Sequence, residues 1–228
     1  MQKKKNSSKL MQWGKAFLFT FLFLFLIASS IFMYMVYLSK DLPTLDELKN
    51  FNPEQISMVI SSDGQVLHKL QALKKREVVK IGQVPQELIN ALLVMEDNDF
   101  YDHHGFSFKS TARAVIIDLF TMSYKQGAST LTQQLARTMY EKISYKDRSV
   151  TRKIKELITA FNIEQTYTKS EILELYLNSV FLGHGRYGVQ SASQYYFKKN
   201  VSELELDECA MIIGLLPGPN SYSPFKDI

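Results

Sequence analysis

Cysteine is almost missing from this chain of 228 residues, and the single one, Cys209, excludes an internal disulfide. It lies in the apolar run Cys209-Ala210-Met211-Ile212-Ile213-Gly214 and reads as a small buried hydrophobe. A domain of this length can bury a real core without staples, so the lack of disulfides does not argue against an external compartment. A surplus of basic charge is also missing once the N-terminus is set aside. The chain has 27 basic and 23 acidic residues, but Lys3, Lys4, Lys5, Lys9 and Lys15 stand together at the start, leaving 22 against 23. That near-neutral remainder leaves a nucleic-acid partner unsupported. No internal repeat occurs, and no low-complexity segment outside one apolar stretch near the start.

That stretch, residues 16–38, carries no charge. At 1.5 Å per residue it is long enough to cross a hydrocarbon core of roughly 30 Å, so a transmembrane helix is predicted. Five lysines and no acid precede it. The positive-inside rule then keeps the N-terminus in the cytoplasm and sends the chain after Ser39 outside the membrane. A cleaved signal peptide is the alternative, but the run exceeds a usual apolar core and continues past its Ala-Ser-Ser. The organisation expected is a basic tail at 1–15, a membrane helix at 16–38, a stalk at 39–55 and one domain at 56–228. Residues 56–70 read as two strands around Ser62-Asp63-Gly64, an Asp-Gly hairpin signal, with a third strand at 77–81. Helices are expected at 86–97, 107–124, 129–140, 149–166, 169–180, 188–197 and 205–215, so the body is mainly α. Thr168 and Glu171 form a capping-box pair before the helix at 169.

Three stretches carry chemistry. The first is Glu96-Asp97-Asn98-Asp99-Phe100-Tyr101-Asp102-His103-His104-Gly105, which ends an apolar helix with a dense group of carboxylates, aromatics and histidines. Adjacent carboxylates repel, a cost that packing alone would avoid, and Glu96 is expected where the helix leaves the core and meets a cleft, as a general base would. The second is the helix from residue 149. Val150, Ile154, Leu157, Ile158 and Phe161 recur at helical spacing as its expected buried stripe, with Arg148, Arg152, Lys155, Glu156 and Thr159 on a wet, cationic side. Seven basic residues stand here, Arg137, Lys142, Lys146, Arg148, Arg152, Lys153 and Lys155, against Glu141 and Asp147. This concentration suits an anion, although a solvated face or an Arg152–Glu156 ion pair explains it equally simply. The third is Gly127-Ala128-Ser129-Thr130-Leu131-Thr132-Gln133-Gln134-Leu135-Ala136-Arg137, a wall of hydroxyls and amides suited to sugars and peptide groups. A polar helix start, capped by Ser129, is the plainer account.

Together these stretches fit E-D-x-x-F-x-x-H-x-G, G-x-S-T-x-T-Q-Q and R-K-x-x-E in that order. In this the chain resembles the peptidoglycan glycosyltransferase family (glycosyltransferase family 51), found as monofunctional transglycosylases and as the N-terminal module of class A penicillin-binding proteins. The resemblance continues through Glu171-Ile172-Leu173-Glu174-Leu175-Tyr176-Leu177-Asn178, Gly183-His184-Gly185-Arg186-Tyr187-Gly188, Tyr196-Phe197 and Leu216-Pro217-Gly218-Pro219-Asn220, covering roughly residues 56–224. It implies a mainly α, lysozyme-like two-lobed domain with a small β-hairpin region. It implies polymerisation of lipid II into β-1,4-linked glycan with inversion at the sugar and release of undecaprenyl diphosphate.

By the resemblance, Glu96 is the general base, and Glu156 is the second catalytic carboxylate, orienting cations or helping to carry a divalent metal. Arg137, Arg148 and Arg152 would hold phosphates, with Lys153 of the same motif in the binding set. Asp97, Phe100 and His103 would support Glu96 and shape the cleft, while Ser129, Thr130, Thr132, Gln133 and Gln134 would line the donor site. Arg137-Thr138 replaces the family's usual Lys-Asn, and Arg148 stands where lysine is frequent; both keep the charge, but arginine is not a neutral replacement for lysine. No tightly bound cofactor is expected, and Mg or Mn remains open.

The implied partners are lipid II, the growing glycan strand and the bilayer, with division or elongation machinery as further candidates. The implied place is a bacterial cell membrane, with one span and an external domain. Phe106, Phe108, Val115, Ile116, Ile117, Leu119, Phe120 and Met122 offer apolar surface either to lipid or to the core. The chain ends near the expected close of the domain, without a transpeptidase motif, which suggests a piece of a class A protein or, alternatively, a stand-alone enzyme. Two rival functions are a glycan hydrolase, for which a cationic helix has no purpose, and a non-catalytic membrane-anchored scaffold or truncated inactive module.

Overall fold

The computed structural model describes residues 2–49, 58–60, 66–69, 75–121, 129–139 and 149–225, in two compact units, Met1–Leu42 and Pro43–Ile228. In the first unit, helix α1 (Gln2–Ser39) contains the segment Phe17–Ser39, which is long and apolar enough to cross a membrane and has no part buried inside the protein. Exposed Phe, Leu and Ile side chains along that segment are what a lipid-facing helix requires.

The second unit is mainly α. A short helix, α2 (Leu45–Lys49), lies within the segment expected to be a stalk; Leu48 is buried in the core and its carbonyl accepts a hydrogen bond from the Tyr167 hydroxyl. Strands β1 (Met58–Ile60) and β2 (Val66–Lys69) pair antiparallel with an irregularity between Val59 and Ile60, as the hairpin reading expects, while its Ser62-Asp63-Gly64 turn lies outside the described residues. The expected third strand is displaced. Strand β3 (Lys75–Arg76) pairs in parallel with β4 (Arg186–Tyr187), and the chain beyond β3 is held by side chains. The Asn178 amide brackets Val79, accepting from its N–H at 2.9 Å and donating to its carbonyl at 2.8 Å, and Glu174 accepts from the Ile81 N–H at 2.9 Å. Side-chain groups here supply what a neighbouring strand would otherwise give to the backbone.

Among the described residues, seven further helices make the body: α3 (Gln86–Glu96), α4 (Phe108–Thr121), α5 (Leu131–Met139), α6 (Val150–Thr166), α7 (Lys169–Ser179), α8 (Val189–Tyr196) and α9 (Leu206–Gly214). Helix α3 packs on α9, and α5 packs on both α6 and α7. Their shared core includes Leu88, Leu92, Leu131, Leu135, Ile163 and Ile212. Cys209 is fully buried in α9, as expected, and burial raises its thiol pKa. The Thr168–Glu171 capping box is present, with both reciprocal bonds formed, and it holds the Glu171 carboxyl below the usual range.

Helix α6 overturns the expected amphipathy. Glu156, Thr159, Ala160 and Ile163 form its buried face, whereas Val150 and Phe161 are exposed. Glu156 turns inward because cations neutralise it, while the Thr159 hydroxyl is buried with no hydrogen-bond partner among the described residues, and the loop before α4 packs directly on Ala160. That approach needs glycine at residue 105, where φ is +84° and a Cβ would lie 3.1 Å from the Ala160 backbone.

Candidate active site

Glu96 is the last residue of α3, where the helix runs out of the core. It borders a cavity of about 310 Å³ lined also by Asp97, Asn98, Ser110, Arg113, Ser129 and Thr130. Its Oε2 accepts a hydrogen bond from the Gln134 Nε2 of α5 at 2.7 Å. The Gln134 Oε1 in turn accepts from the Tyr176 hydroxyl of α7 at 3.0 Å. Gln134, expected along the donor site, therefore touches the candidate base itself.

The rest of the first stretch builds the support. Asp97 is buried and accepts from the Leu131 N–H at 2.8 Å, at the start of α5, and from the His103 Nε2 at 2.9 Å. The His103 Nδ1 accepts from the Gly105 N–H at 3.1 Å, which assigns the ring proton to Nε2 and makes this histidine a brace between Asp97 and the loop. The Gly105 carbonyl closes the structure by accepting from Thr130 Oγ1 at 2.9 Å and Gln133 Nε2 at 2.8 Å. Phe100 is fully buried, with the Lys169 ammonium 4.4 Å from its ring centre. Asp99 lies outside this network and pairs with Lys109 at 2.9 Å, which lowers its pKa.

The cationic cluster forms around Glu156, whose side chain is 0% exposed. Its Oε2 takes the Arg152 guanidinium at 2.7 Å and the Arg137 Nε at 3.3 Å, and its Oε1 takes the Lys153 ammonium at 2.6 Å. Lys153 also donates to the Gln133 Oε1 at 2.7 Å and to the Ser129 Oγ at 2.9 Å. Burial is the main cause that lowers the Lys153 pKa; Glu156 opposes it, and Arg137 and Arg152 add to it. Ser129 thus joins the two halves, since it lines the Glu96 cavity and receives the cationic cluster's ammonium.

Of the residues expected in the site, Glu96, Asp97, Ser129 and Thr130 border the cavity, Gln134 bonds to Glu96, and Arg137, Arg152, Lys153 and Glu156 form the adjoining cluster. Thr132, Gln133, Phe100 and His103 are buried supports. Thr132 is turned from the cavity and donates to the Glu164 Oε1 at 2.6 Å, an oxygen shared with Lys169 at 2.8 Å. Gly127 and Arg148 lie outside the described residues. Both Glu156 oxygens are taken by cations, and among the described residues no group of three or more His, Cys, Asp or Glu could hold a metal, so this arrangement does not fit Glu156 as a metal ligand. The sequence reading did not single out Arg113, Ser110 or Tyr176. A lone arginine within an apolar helical run was the available signal for the first, and Tyr176 stood unremarked inside a quoted motif.

A second cavity, about 610 Å³, is lined by Asp102, His104, Phe106, Phe108, Lys109 and Phe161 among others. Phe108 is 83% exposed. The side chains of Val115, Ile116, Leu119 and Phe120, and all of Met122, lie outside what is described, so the choice between lipid and core rests on Phe106, Phe108 and the half-buried Ile117.

The family model described as transglycosylase matches residues 63–228. Penicillin-binding protein 1A of Neisseria flavescens is 43% identical over 183 residues, 80% of this chain and 22% of that protein. Penicillin-binding protein 1A of Vibrio cholerae is 38% identical over 210 residues, 92% of this chain and 25% of that protein. The chain thus spans about a quarter of the length of these curated relatives. A crystal structure of penicillin-binding protein 1A from Haemophilus influenzae is 25% identical and covers 76% of this chain and 16% of that one, at a TM-score of 0.36.

Proposed function

The chain belongs to the transglycosylase family, the peptidoglycan glycosyltransferases, and from that premise we propose that it polymerises lipid II at the outer face of a bacterial cell membrane. Helix α1 would anchor it with the basic N-terminus in the cytoplasm. The Glu96 carboxylate takes the proton from the 4-hydroxyl of the acceptor's GlcNAc as that oxygen attacks the anomeric carbon of the donor. The new carbon–oxygen bond forms on the face opposite the leaving group, the carbon–oxygen bond to the diphosphate breaks, and the α-linked donor becomes a β-1,4 product. Undecaprenyl diphosphate departs with the bonding pair.

Departure builds negative charge, which cations ordered in advance stabilise without reorganisation. Arg137, Arg152 and Lys153 serve that role, and Glu156 fixes their positions. No step runs through a metal. The single observation that carries the reading is Ser129, which puts a carboxylate-bordered cavity and a cluster of three cations in one continuous site. A hydrolase needs the carboxylate but not the cations.

The test is incubation of the detergent-solubilised chain with labelled lipid II, with glycan polymer read on a gel beside Glu96→Gln. Polymer from the wild type and none from a folded Glu96→Gln supports the reading. Bound but unpolymerised lipid II with a folded wild type supports the scaffold reading instead, and shortening of preformed glycan strands supplied in a parallel incubation supports a hydrolase.

A further inference from the structure

We propose that Tyr176 is a positioning residue for Glu96 and acts through the Gln134 amide. The inference rests on the reading of Glu96 as the base. A carboxamide has one donating and one accepting end, and only the donating end can serve an ionised carboxylate. Turning the Gln134 carbonyl toward Glu96 would set two acceptors against each other. The Tyr176 hydroxyl prevents this by donating to the Gln134 Oε1 at 3.0 Å, so the amide presents Nε2 to the Glu96 Oε2 at 2.7 Å. The chain of hydrogen bonds runs from phenol to amide to carboxylate, and each bond polarises the next.

The phenol has a fixed reach. Tyr176 is 3% exposed, and on the same helix Glu174 and Asn178 bind the backbone of residues 79–81, so α7 cannot shift along that segment without breaking those bonds. With Oε2 engaged, Oε1 of Glu96 remains for the acceptor hydroxyl; among the described residues no second hydrogen bond to Glu96 is formed. The other charged groups near Glu96 leave this role to Gln134. Asp97 is turned onto His103 and the Leu131 amide, Arg113 lines the same cavity from α4, and Arg137, one turn along α5, is engaged with Glu156.

The test is the initial rate of lipid II polymerisation by the full chain in detergent, from about pH 5 to about pH 9, for wild type, Tyr176→Phe, Gln134→Ala and the double variant, with a melting curve for each. Tyr176→Phe keeps the ring packing. Its expected effect is roughly a tenfold loss of kcat with KM little changed, and an acid limb moved to higher pH. Added to Gln134→Ala, the same change is expected to have no further effect on the rate, because the proposed route from Tyr176 to Glu96 runs through that amide. An unchanged rate and acid limb in Tyr176→Phe overturns the proposal, and so does a full additional loss in the Gln134→Ala background. If Tyr176→Phe melts far lower, rates taken below both midpoints in that background decide by the same criterion. Glu96→Gln, run alongside, separates the two claims. Polymer from Glu96→Gln removes both, whereas an inactive Glu96→Gln beside a normal Tyr176→Phe removes only this one.

Discussion

Glu96 and Glu156 are the same chemical group placed in opposite surroundings. Glu96 ends a helix, borders a cavity and takes one hydrogen bond from a neutral amide. Glu156 lies in the middle of α6, is wholly buried and is met by two guanidiniums and an ammonium. A carboxylate saturated by cations is a poor proton acceptor but a good organiser of those cations. One left with an open oxygen at a cavity can do the reverse. The division of labour proposed for the site is therefore visible in how many partners each carboxylate has.

The largest effects should come from removing the two charges separately. Glu96→Gln is expected to cut polymerisation by at least about a thousandfold while the melting midpoint stays within a few degrees, because the side chain is the proposed base and has one structural bond. Glu156→Gln leaves three crowded cations without their carboxylate, at a cost of roughly 3–5 kcal/mol for a broken buried pair. That corresponds to a fall of about 10 °C in a domain of this size, together with lost activity. Differential scanning calorimetry beside the polymer assay checks the split. Equal melting midpoints for the two variants would break the comparison.

Asp97 tests the border between the regions, since it is adjacent to Glu96 in sequence yet is buried like Glu156. Asp97→Asn keeps the shape but weakens the acceptor for the Leu131 N–H and for His103, with an expected loss of about 1–3 kcal/mol. Activity should fall by roughly tenfold through displacement of Glu96 and Ser129. A midpoint unchanged in thermal melts, with activity lost, would move Asp97 from support to chemistry.

Much of this was legible beforehand. The helices of the body were signalled by apolar spacing and the Thr168 cap, and the three motifs named most of the side chains that meet in the site. The face of α6 was not legible. Apolar Val150 and Phe161 suggested a buried stripe, but burial was decided by partners distant in sequence: Arg137 reaches Glu156 from α5, and Gly105 brings its loop onto Ala160. A helical wheel assigns a glutamate to water by default; Arg152 and Lys153 stand near Glu156 in sequence, but only the fold brings Arg137 to it as a third cation. The strand after residue 76 failed similarly, because Asn178, about a hundred positions away, supplies the backbone's partner.

Lys153 sharpens the comparison through pH. Burial lowers its pKa below the ordinary value of 10.5 more than Glu156 restores it. The unfolded chain therefore binds this proton more tightly than the folded one. Below the folded pKa the group opposes stability to a constant extent, and that opposition fades as pH rises toward 10.5. Activity is expected to run the other way, because deprotonation removes a cation from the proposed diphosphate site. The alkaline limb of the rate profile should fall below the range of a free lysine, and Lys153→Arg should push it upward with a modest loss of rate. A limb that does not move in Lys153→Arg would detach Lys153 from the reaction.

The smallest effect belongs to Asp99, a carboxylate of the same run as Glu96 that belongs to neither region. Its pKa is lowered first by the hydrogen bond from Lys109, but that ammonium is 80% exposed, so water and salt screen the pair. A depressed carboxylate contributes stability present above its unfolded pKa and lost as pH falls through its folded one. Lys109→Ala should therefore narrow the difference between melting midpoints near pH 5 and near pH 3 by a barely measurable amount, and added salt should reduce it further. Polymerisation should be unchanged, because the pair lies outside the cavity that Glu96 borders. A large loss of activity in Lys109→Ala would instead show that charge at the start of α4 belongs to the site, and that counting a carboxylate's partners is not enough to tell which one reacts.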